Sequence, residues 1–103
     1  MELIAIYVTY ASEEEAQKIV IILLEKRLIA CANVYPVNSF FRWNGKIENE
    51  NEYVSILKSG TSKINEIITA IQALHSYDIP CITYWNINSE SNYGGWINDQ
   101  IQY

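Results

Sequence analysis

The sequence has little positive charge and no long apolar run, and each absence narrows the possible functions. Seven Lys and Arg stand against twelve Asp and Glu in 103 residues, which gives a formal net charge of −5. Binding to a phosphate backbone depends on clustered cations, so this balance argues against a nucleic-acid partner. The longest uninterrupted apolar stretch, Ile19 to Leu24, is far too short for a membrane span, so we expect no membrane association.

Cysteine is scarce too. Cys31 and Cys81 form neither a Cys-x-x-Cys pair nor a dense disulfide framework, which suits a reducing compartment. Residues 1–10 contain no basic n-region and no small-residue cleavage site, so no signal peptide is predicted. Together these features predict a cytoplasmic protein.

Motifs of the common enzyme classes are absent as well. The chain has no Gly-x-Ser-x-Gly elbow, no P-loop, no His-Glu-x-x-His and no Gly-x-Gly-x-x-Gly fingerprint, so we predict that it is not an enzyme. What it does have is globular composition, with half of its residues hydrophobic and 18% charged. We interpret residues 1–103 as a single domain, because a chain of this length can bury about 65% of its unfolded surface.

The N-terminal third of the chain predicts a strand followed by a helix. Glu2–Tyr10 is rich in β-branched and aromatic residues and predicts a strand buried on both faces. Ser12 followed three residues later by Glu15 is a capping box, which predicts the start of a helix. Apolar residues at helical spacing extend this helix over Glu13–Arg27, with two cations in its last turn.

A long hairpin is predicted next. Ile29–Trp43 and Ile47–Lys58 are β-rich runs on either side of Asn44-Gly45, the dipeptide typical of a type I′ turn. Pro36 lies inside the first run, where it predicts a bulge or an edge strand.

The C-terminal half predicts a helix, a strand and a further helix. The second helix opens at Thr61-Ser62 and ends at about Leu74, and His75–Asp78 forms a turn. Cys81–Ile87 is a fourth strand, and Tyr93–Ile101 is a short closing helix. The predicted fold is therefore α+β: a ferredoxin-like β-α-β-β-α-β antiparallel sheet with a long central hairpin and a C-terminal helix.

The predicted hairpin is too long for its domain. Ala30–Trp43 has 14 residues, which at about 3.3 Å each span roughly 45 Å, whereas the expected radius of gyration is only about 13 Å. The hairpin must bend at Pro36 and fold back on its own sheet, or project from the body. Projection exposes aromatic side chains that need a partner surface, which favours a homo-oligomer. These aromatics are Phe40, Phe41, Trp43 and Tyr53.

Several segments in order resemble the CutA divalent-cation-tolerance family. The resemblance runs from about residue 3 to the C-terminus at consistent spacing. The segments are Ala30-Cys31-Ala32-Asn33, Trp43-Asn44-Gly45-Lys46-Ile47, the acidic stretch 48–52 with Ile56-Leu57-Lys58, Leu74-His75-Ser76-Tyr77-Asp78-Ile79-Pro80, and Tyr93 with Trp96.

This resemblance implies a tight homotrimer that is linked to tolerance of copper and other divalent cations, with no assigned reaction. Trimer contacts in such proteins come largely from the hairpin arms and sheet edges. The architecture also resembles PII signalling proteins. Two alternatives stay open: a PII-like or ACT-like regulatory module that binds a small metabolite or anion between subunits, and a scaffold trimer without a ligand.

The metal ligands implied by the resemblance are largely missing. Val8 stands where bacterial relatives carry a copper-linked Cys, Leu74 matches one of their His residues, and only His75 remains. Ser76 and Cys81 replace the Pro and Glu that are usual in the family.

The sharpest metal hypothesis is a His75/Cys81 pair that binds Cu or Zn, because the two residues are close in sequence across the Pro80 turn. Alternatively, His75 is a helix-terminal His satisfied by the last carbonyls, and the cysteines are small hydrophobes.

Residues of the family-like segments are also candidates for a cleft or interface between subunits. A small anion near Lys58 is one interpretation; the favoured alternative is that Lys58 pairs with an acid and the aromatics pack against a neighbouring subunit. The candidates are Asn33, Trp43, Lys58, Tyr77 and Trp96.

Overall fold

A four-stranded antiparallel sheet forms the centre of the molecule, in the order β2-β3-β1-β4. The computed structural model describes residues 2–102. The predicted ferredoxin-like plan is confirmed. The elements are β1 (Leu3–Tyr10), α1 (Glu13–Glu25), β2 (Cys31–Trp43), β3 (Lys46–Gly60), a 3-10 turn (Thr61–Lys63), α2 (Ile64–Leu74), β4 (Ile82–Ile87) and α3 (Ser91–Ile101).

Strand β1 is buried on both faces, as predicted. Its alternate side chains point to opposite sides of the sheet. Ile4, Ile6, Val8 and Tyr10 belong to the main core, together with buried residues of α1 and α2. Leu3 belongs instead to a second cluster with Ala30, Ile97 and Ile101. Helices α1 and α2 therefore cover one face, and α3 covers one end of the other; we call this second surface the open face.

The start of α1 follows its sequence signal closely. The Ser12 hydroxyl accepts a hydrogen bond from the Glu15 amide at 3.1 Å. The Glu15 carboxylate reaches back to the amide of Ala11, at 3.3 Å, rather than to that of Ser12. Both contacts satisfy backbone donors near the helix start, which is the stabilising role of a capping box.

The predicted end of α1 at Arg27 is wrong, because a Schellman motif stops the helix at Glu25. Arg27 adopts a left-handed φ of 55°. The Leu28 amide then bonds to the carbonyl of Leu23, and the Arg27 amide to that of Leu24, each at 3.0 Å. This turn buries Leu28 in the core. The Arg27 side chain donates a hydrogen bond to the Gln100 carbonyl of α3 at 3.0 Å.

The closing helix begins earlier than predicted, at Ser91 rather than Tyr93. The Glu90 carboxylate accepts hydrogen bonds from the amides of Asn92 and Tyr93, at 2.7 and 3.0 Å. Glutamate is an unusual N-cap, so residue preferences do not predict a helix start at this position. No helix within residues 2–102 is long and apolar enough to cross a membrane.

The hairpin turn has the predicted type I′ character. Asn44 and Gly45 both have positive φ, 51° and 77°. Strand β2 lies at an edge of the sheet. Pairing with β3 continues through Pro36, which lies opposite Tyr53. Pro36 therefore marks an edge strand and not a bulge.

The outer half of the hairpin projects from the sheet. Strand β1 pairs with β3 only over residues 53–60, so residues 37–43 and 46–52 form a two-stranded ribbon. The molecule measures 45 × 24 × 21 Å. Phe40 and Ile47 on the ribbon are 71% and 75% exposed. This geometry favours projection over a hairpin folded back on its own sheet.

The glycines give a matched test of the turn. Gly45→Ala should lower the free energy of unfolding by about 1 kcal/mol, since an L side chain is strained at positive φ. Gly95→Ala in α3 places its Cβ in open space and should raise stability by up to about 1 kcal/mol. Urea unfolding at a fixed protein concentration measures both changes. Equal effects of the two substitutions would contradict the left-handed turn.

Candidate functional site

The open face carries most of the residues singled out from the sequence. Cross-strand pairing places Cys31 opposite Lys58 and Asn33 opposite Ile56. Lys58 in turn lies opposite Ala5 of β1. Cross-strand partners share a face, so these side chains form the floor of the open face beside α3.

Four side chains meet where α3 borders this floor, and we call them the α3 cluster: Cys31, Lys58, Tyr93 and Trp96. The Tyr93 hydroxyl lies 3.3 Å from the Cys31 Sγ. The Lys58 Nζ lies 5.2 Å from the centroid of the Tyr93 ring, a cation–π distance. Tyr93 and Trp96 stack with their centroids 5.7 Å apart and their planes 18° apart. The structure thus brings two predicted site residues, Lys58 and Trp96, together through Tyr93.

The charges of this cluster are not internally balanced. The hydrogen bond to Cys31, together with burial, raises the pKa of Tyr93 above its ordinary value of 10, so its hydroxyl is neutral at pH 7. Within residues 2–102 no carboxylate forms an ion pair with Lys58. The favoured expectation that Lys58 pairs with an acid is not met within residues 2–102, and pairing with an acid of a neighbouring subunit stays a prediction.

His75 lies at the opposite end of the sheet, at the C-cap of α2. Its imidazole is fully buried and stacks on Tyr10 at 5.3 Å. Nε2 lies 2.7 Å from the Thr9 carbonyl, and Nδ1 accepts a hydrogen bond from the Tyr77 amide at 3.0 Å. These bonds assign the proton to Nε2. The expected helix-terminal position is confirmed, but the partners lie in β1 and the following turn, not among the last helix carbonyls.

Tyr77 lies in the turn after α2 and connects this turn to the base of the hairpin. Its hydroxyl donates to Glu52 Oε2 at 2.6 Å, and Glu52 is buried. Burial and the Glu52 carboxylate together raise the pKa of Tyr77 well above its ordinary value of 10. The tyrosine therefore remains a hydrogen-bond donor throughout the physiological range.

Glu15 makes a second connection to the same turn. Its carboxylate accepts from the Ser76 amide at 2.7 Å and from the Ser76 hydroxyl at 3.0 Å. Burial acts to raise the pKa of Glu15, but the hydrogen bonds from Ser76, the nearby His75 and the Ala11 amide together outweigh it, and the pKa lies below its ordinary 4.5. A proline at this position would have neither an amide hydrogen nor a hydroxyl. Ser76 thus makes two contacts that proline cannot.

The remaining predicted residues are dispersed. Trp43 lies at the hairpin tip, and Cys81 is an exposed free thiol next to β4. Cys31 and Cys81 lie toward opposite edges of the sheet, as expected. Lys58 and Glu52, the partner of Tyr77, are six residues apart on β3, about 20 Å. The five cleft candidates therefore form no single site within one chain.

No set of three or more His, Cys, Asp or Glu side chains within residues 2–102 is arranged to hold a metal ion. In the structure His75 has no free nitrogen for coordination. The His75/Cys81 pair can therefore bind a metal only if the turn after α2 opens, and it remains a prediction in that restricted form.

These observations define an α+β protein with a ferredoxin-like sheet, a projecting hairpin and a third helix on the open face. The family model described as CutA1 divalent ion tolerance protein matches residues 4–100. The chain belongs to the CutA family.

Individual relatives agree with this assignment. The divalent-cation tolerance protein CutA of Archaeoglobus fulgidus is 41% identical over 94% of this chain and 96% of its own length. The protein of the same name from Pyrococcus horikoshii is 36% identical over 97% and 99%. A solved structure described as the periplasmic divalent cation tolerance protein CutA from Archaeoglobus fulgidus superposes with a TM-score of 0.95, at 40% identity, covering 97% of this chain and 99% of that one.

Glu15 gives a pH-dependent test of the turn. Because its pKa is depressed in the folded state, its stabilisation is complete above the ordinary value of 4.5 and is lost as the pH falls through the lower folded value. Glu15→Gln should lower the free energy of unfolding by about 1 kcal/mol at pH 7, since partial exposure weakens its bonds. The deficit relative to the wild type should shrink in acid.

The matched control for this test is Glu14→Gln, which removes an exposed carboxylate from the same helix turn. Urea unfolding between pH 7 and 3 measures both variants. Equal losses in the two variants, or a Glu15 deficit that does not change with pH, would contradict the proposed contact with Ser76.

Proposed function

We propose that the chain is a non-enzymatic homotrimer of the divalent-cation-tolerance type that binds or responds to divalent metal such as copper. Family membership supports the tolerance role, since relatives carry that description. The observation that carries the assembly is the hairpin ribbon. A two-stranded ribbon is marginally stable alone in water, and this one extends past β1 with its apolar side chains exposed.

A second copy of the chain is the partner that this geometry supports. The ribbon exposes half of the Trp43 surface in addition to Phe40 and Ile47. The open face also exposes Tyr35 and Trp85. Association would remove both sets of side chains from water, at about 25 cal/mol for each Å² buried. The strands β2 and β4 also present unpaired edges to a neighbour.

The proposed metal role is supported by family membership and by two candidate ligands, Cys81 and His75. Cys81 is an exposed thiol, and a thiolate is a soft ligand that suits Cu(I) or Zn. Nδ1 of His75 must lose its hydrogen bond from the Tyr77 amide before it can coordinate a metal. Two ligands are too few for a closed tetrahedral site, so a neighbouring subunit or water must supply the others. We therefore propose weak, conformationally coupled binding rather than a resident metal.

We also propose a cytoplasmic location, which the two unpaired thiols within residues 2–102 support. The Archaeoglobus fulgidus protein is described as periplasmic. Fractionation of the native cells, with immunodetection of the protein, distinguishes the two compartments.

The proposed assembly is tested by a substitution at the hairpin tip. Light scattering of the wild type at micromolar concentration should give the mass of three chains. Trp43→Ala should shift the population toward smaller species while far-ultraviolet circular dichroism is retained, because it removes aromatic burial that only a neighbour can supply. Ile21→Ala is the control, since Ile21 is equally exposed on the outer side of α1, at 53% against 51%. A wild-type monomer with an intact sheet would refute the assembly.

Metal binding is tested by calorimetry with Cu and Zn in buffers of different ionisation enthalpy. The wild type should bind with proton release, and binding should weaken in acid, because both ligands must lose a proton to coordinate. His75→Ala and Cys81→Ser should each reduce affinity strongly, whereas Glu50→Gln on the exposed ribbon should not. If the double variant His75→Ala/Cys81→Ser titrates like the wild type, this pair is not the site.

A further inference from the structure

The proposed function leaves the α3 cluster without a role, although it combines a cation with a stacked aromatic pair. We propose that this cluster binds a small organic anion with a planar ring, in which Lys58 holds the carboxylate or phosphate and the Tyr93–Trp96 stack holds the ring. The proposal goes beyond the metal and assembly roles. All of the residues named for it come from one chain, so each single chain already contains them.

The first argument is the charge of Lys58. The Lys58 residue is half-buried on the sheet, and its ammonium has no carboxylate partner within residues 2–102, in a chain whose net charge is −5. Among residues 2–102 the ammonium has an attractive contact with the Tyr93 ring. A bound anion would supply the missing counter-charge through a charge-assisted hydrogen bond, which is among the stronger polar contacts.

The second argument is the aromatic pair. Tyr93 and Trp96 are 37% and 43% exposed, although they are stacked on one another. One turn of α3 separates them, so the helix fixes their spacing. An exposed stack can be extended by a further planar ring, and stacking of a ring on an aromatic side chain contributes substantially to ligand binding.

The third argument is the position of the cluster and of the competing donors. Helix α3 packs on one end of the open face and contacts β3, so Lys58 of β3 lies where the helix meets the sheet. The N-terminus of α3 cannot take the anion, because the Glu90 carboxylate already occupies it. The Tyr93 hydroxyl is engaged with Cys31. Lys58 is therefore the group that fixes the charged end, with the exposed Asn33 amide on the same face.

The experiment uses the whole protein and four probes: adenosine monophosphate, benzoate, adenosine and inorganic phosphate. Calorimetry should show binding of the ring-bearing anions, with adenosine and inorganic phosphate each at least about tenfold weaker, since each lacks one of the two anchoring groups. Comparison of the first two probes shows whether phosphate or carboxylate is preferred. Absence of binding by both ring-bearing anions at millimolar concentration would overturn the proposal.

Variants locate the site. Lys58→Gln should weaken binding of the preferred anion about tenfold or more, and Lys58→Arg should restore most of it. Lys18→Gln removes the same charge from the exposed side of α1 and should change affinity by less than about twofold. Trp96→Leu should weaken binding by about tenfold and abolish the ligand-induced change in tryptophan fluorescence.

Circular dichroism shows whether each variant keeps its fold. Equal losses in Lys58→Gln and Lys18→Gln would show that only net charge matters, and would overturn the assignment. Light scattering of the same samples measures the oligomeric mass separately from anion binding. A protein that binds the anion but does not have the mass of a trimer would refute the assembly proposal and leave the anion site standing.

Discussion

The difference in length between β1 and β3 is the constraint on which the rest of this structure depends. Strand β1 has eight residues and β3 has fifteen. Pairing with β1 therefore buries only the inner half of β3, and the outer half has β2 as its one neighbour among residues 2–102. The core is built where three or four strands overlap. Beyond that point the two strands of the ribbon pair only with each other, and their large apolar side chains remain in water.

The turn after α2 stabilises the boundary between the buried core and the projecting ribbon. His75, Ser76 and Tyr77 contact β1, α1 and β3 respectively. The polar groups of the buried side chains are all partnered within residues 2–102, which keeps a polar turn compatible with the apolar core beside it. Ser76 strengthens this junction, because its amide and its hydroxyl both donate to the Glu15 carboxylate.

The fold could be predicted from sequence because its strongest signals are local. Ser12 with Glu15, and Asn44 with Gly45, each specify a backbone geometry within a few residues, and the structure contains both. The end of α1 was missed because a non-glycine residue, Arg27, adopts the left-handed conformation. The reason is tertiary, since Leu28 must reach the core. Spacing along the chain does not encode that requirement.

The site was less predictable, because its contacts join residues far apart in sequence. Cys31 and Tyr93 are 62 positions apart, and Glu15 and Ser76 are 61 apart. Lys58 was expected to find an acid in a chain with an excess of acids, yet the acids near it in sequence lie on the projecting ribbon. The solitary His75 attracted a ligand hypothesis, but its burial between Tyr10 and Tyr77 depends on the packing of the turn against β1.

Pro36 has a consequence for how copies of this chain can add to one another. The ladder between β2 and β3 runs through Pro36 without a break, so its nitrogen, which carries no hydrogen, belongs on the outer edge of β2. That edge therefore has a gap in its row of donors. The other free edge is β4, only six residues long. Joining these two unlike edges is a head-to-tail contact, which generates either a closed ring or an endless filament. The missing donor and the short strand limit the registers in which these two edges can pair, whichever of the two assemblies results.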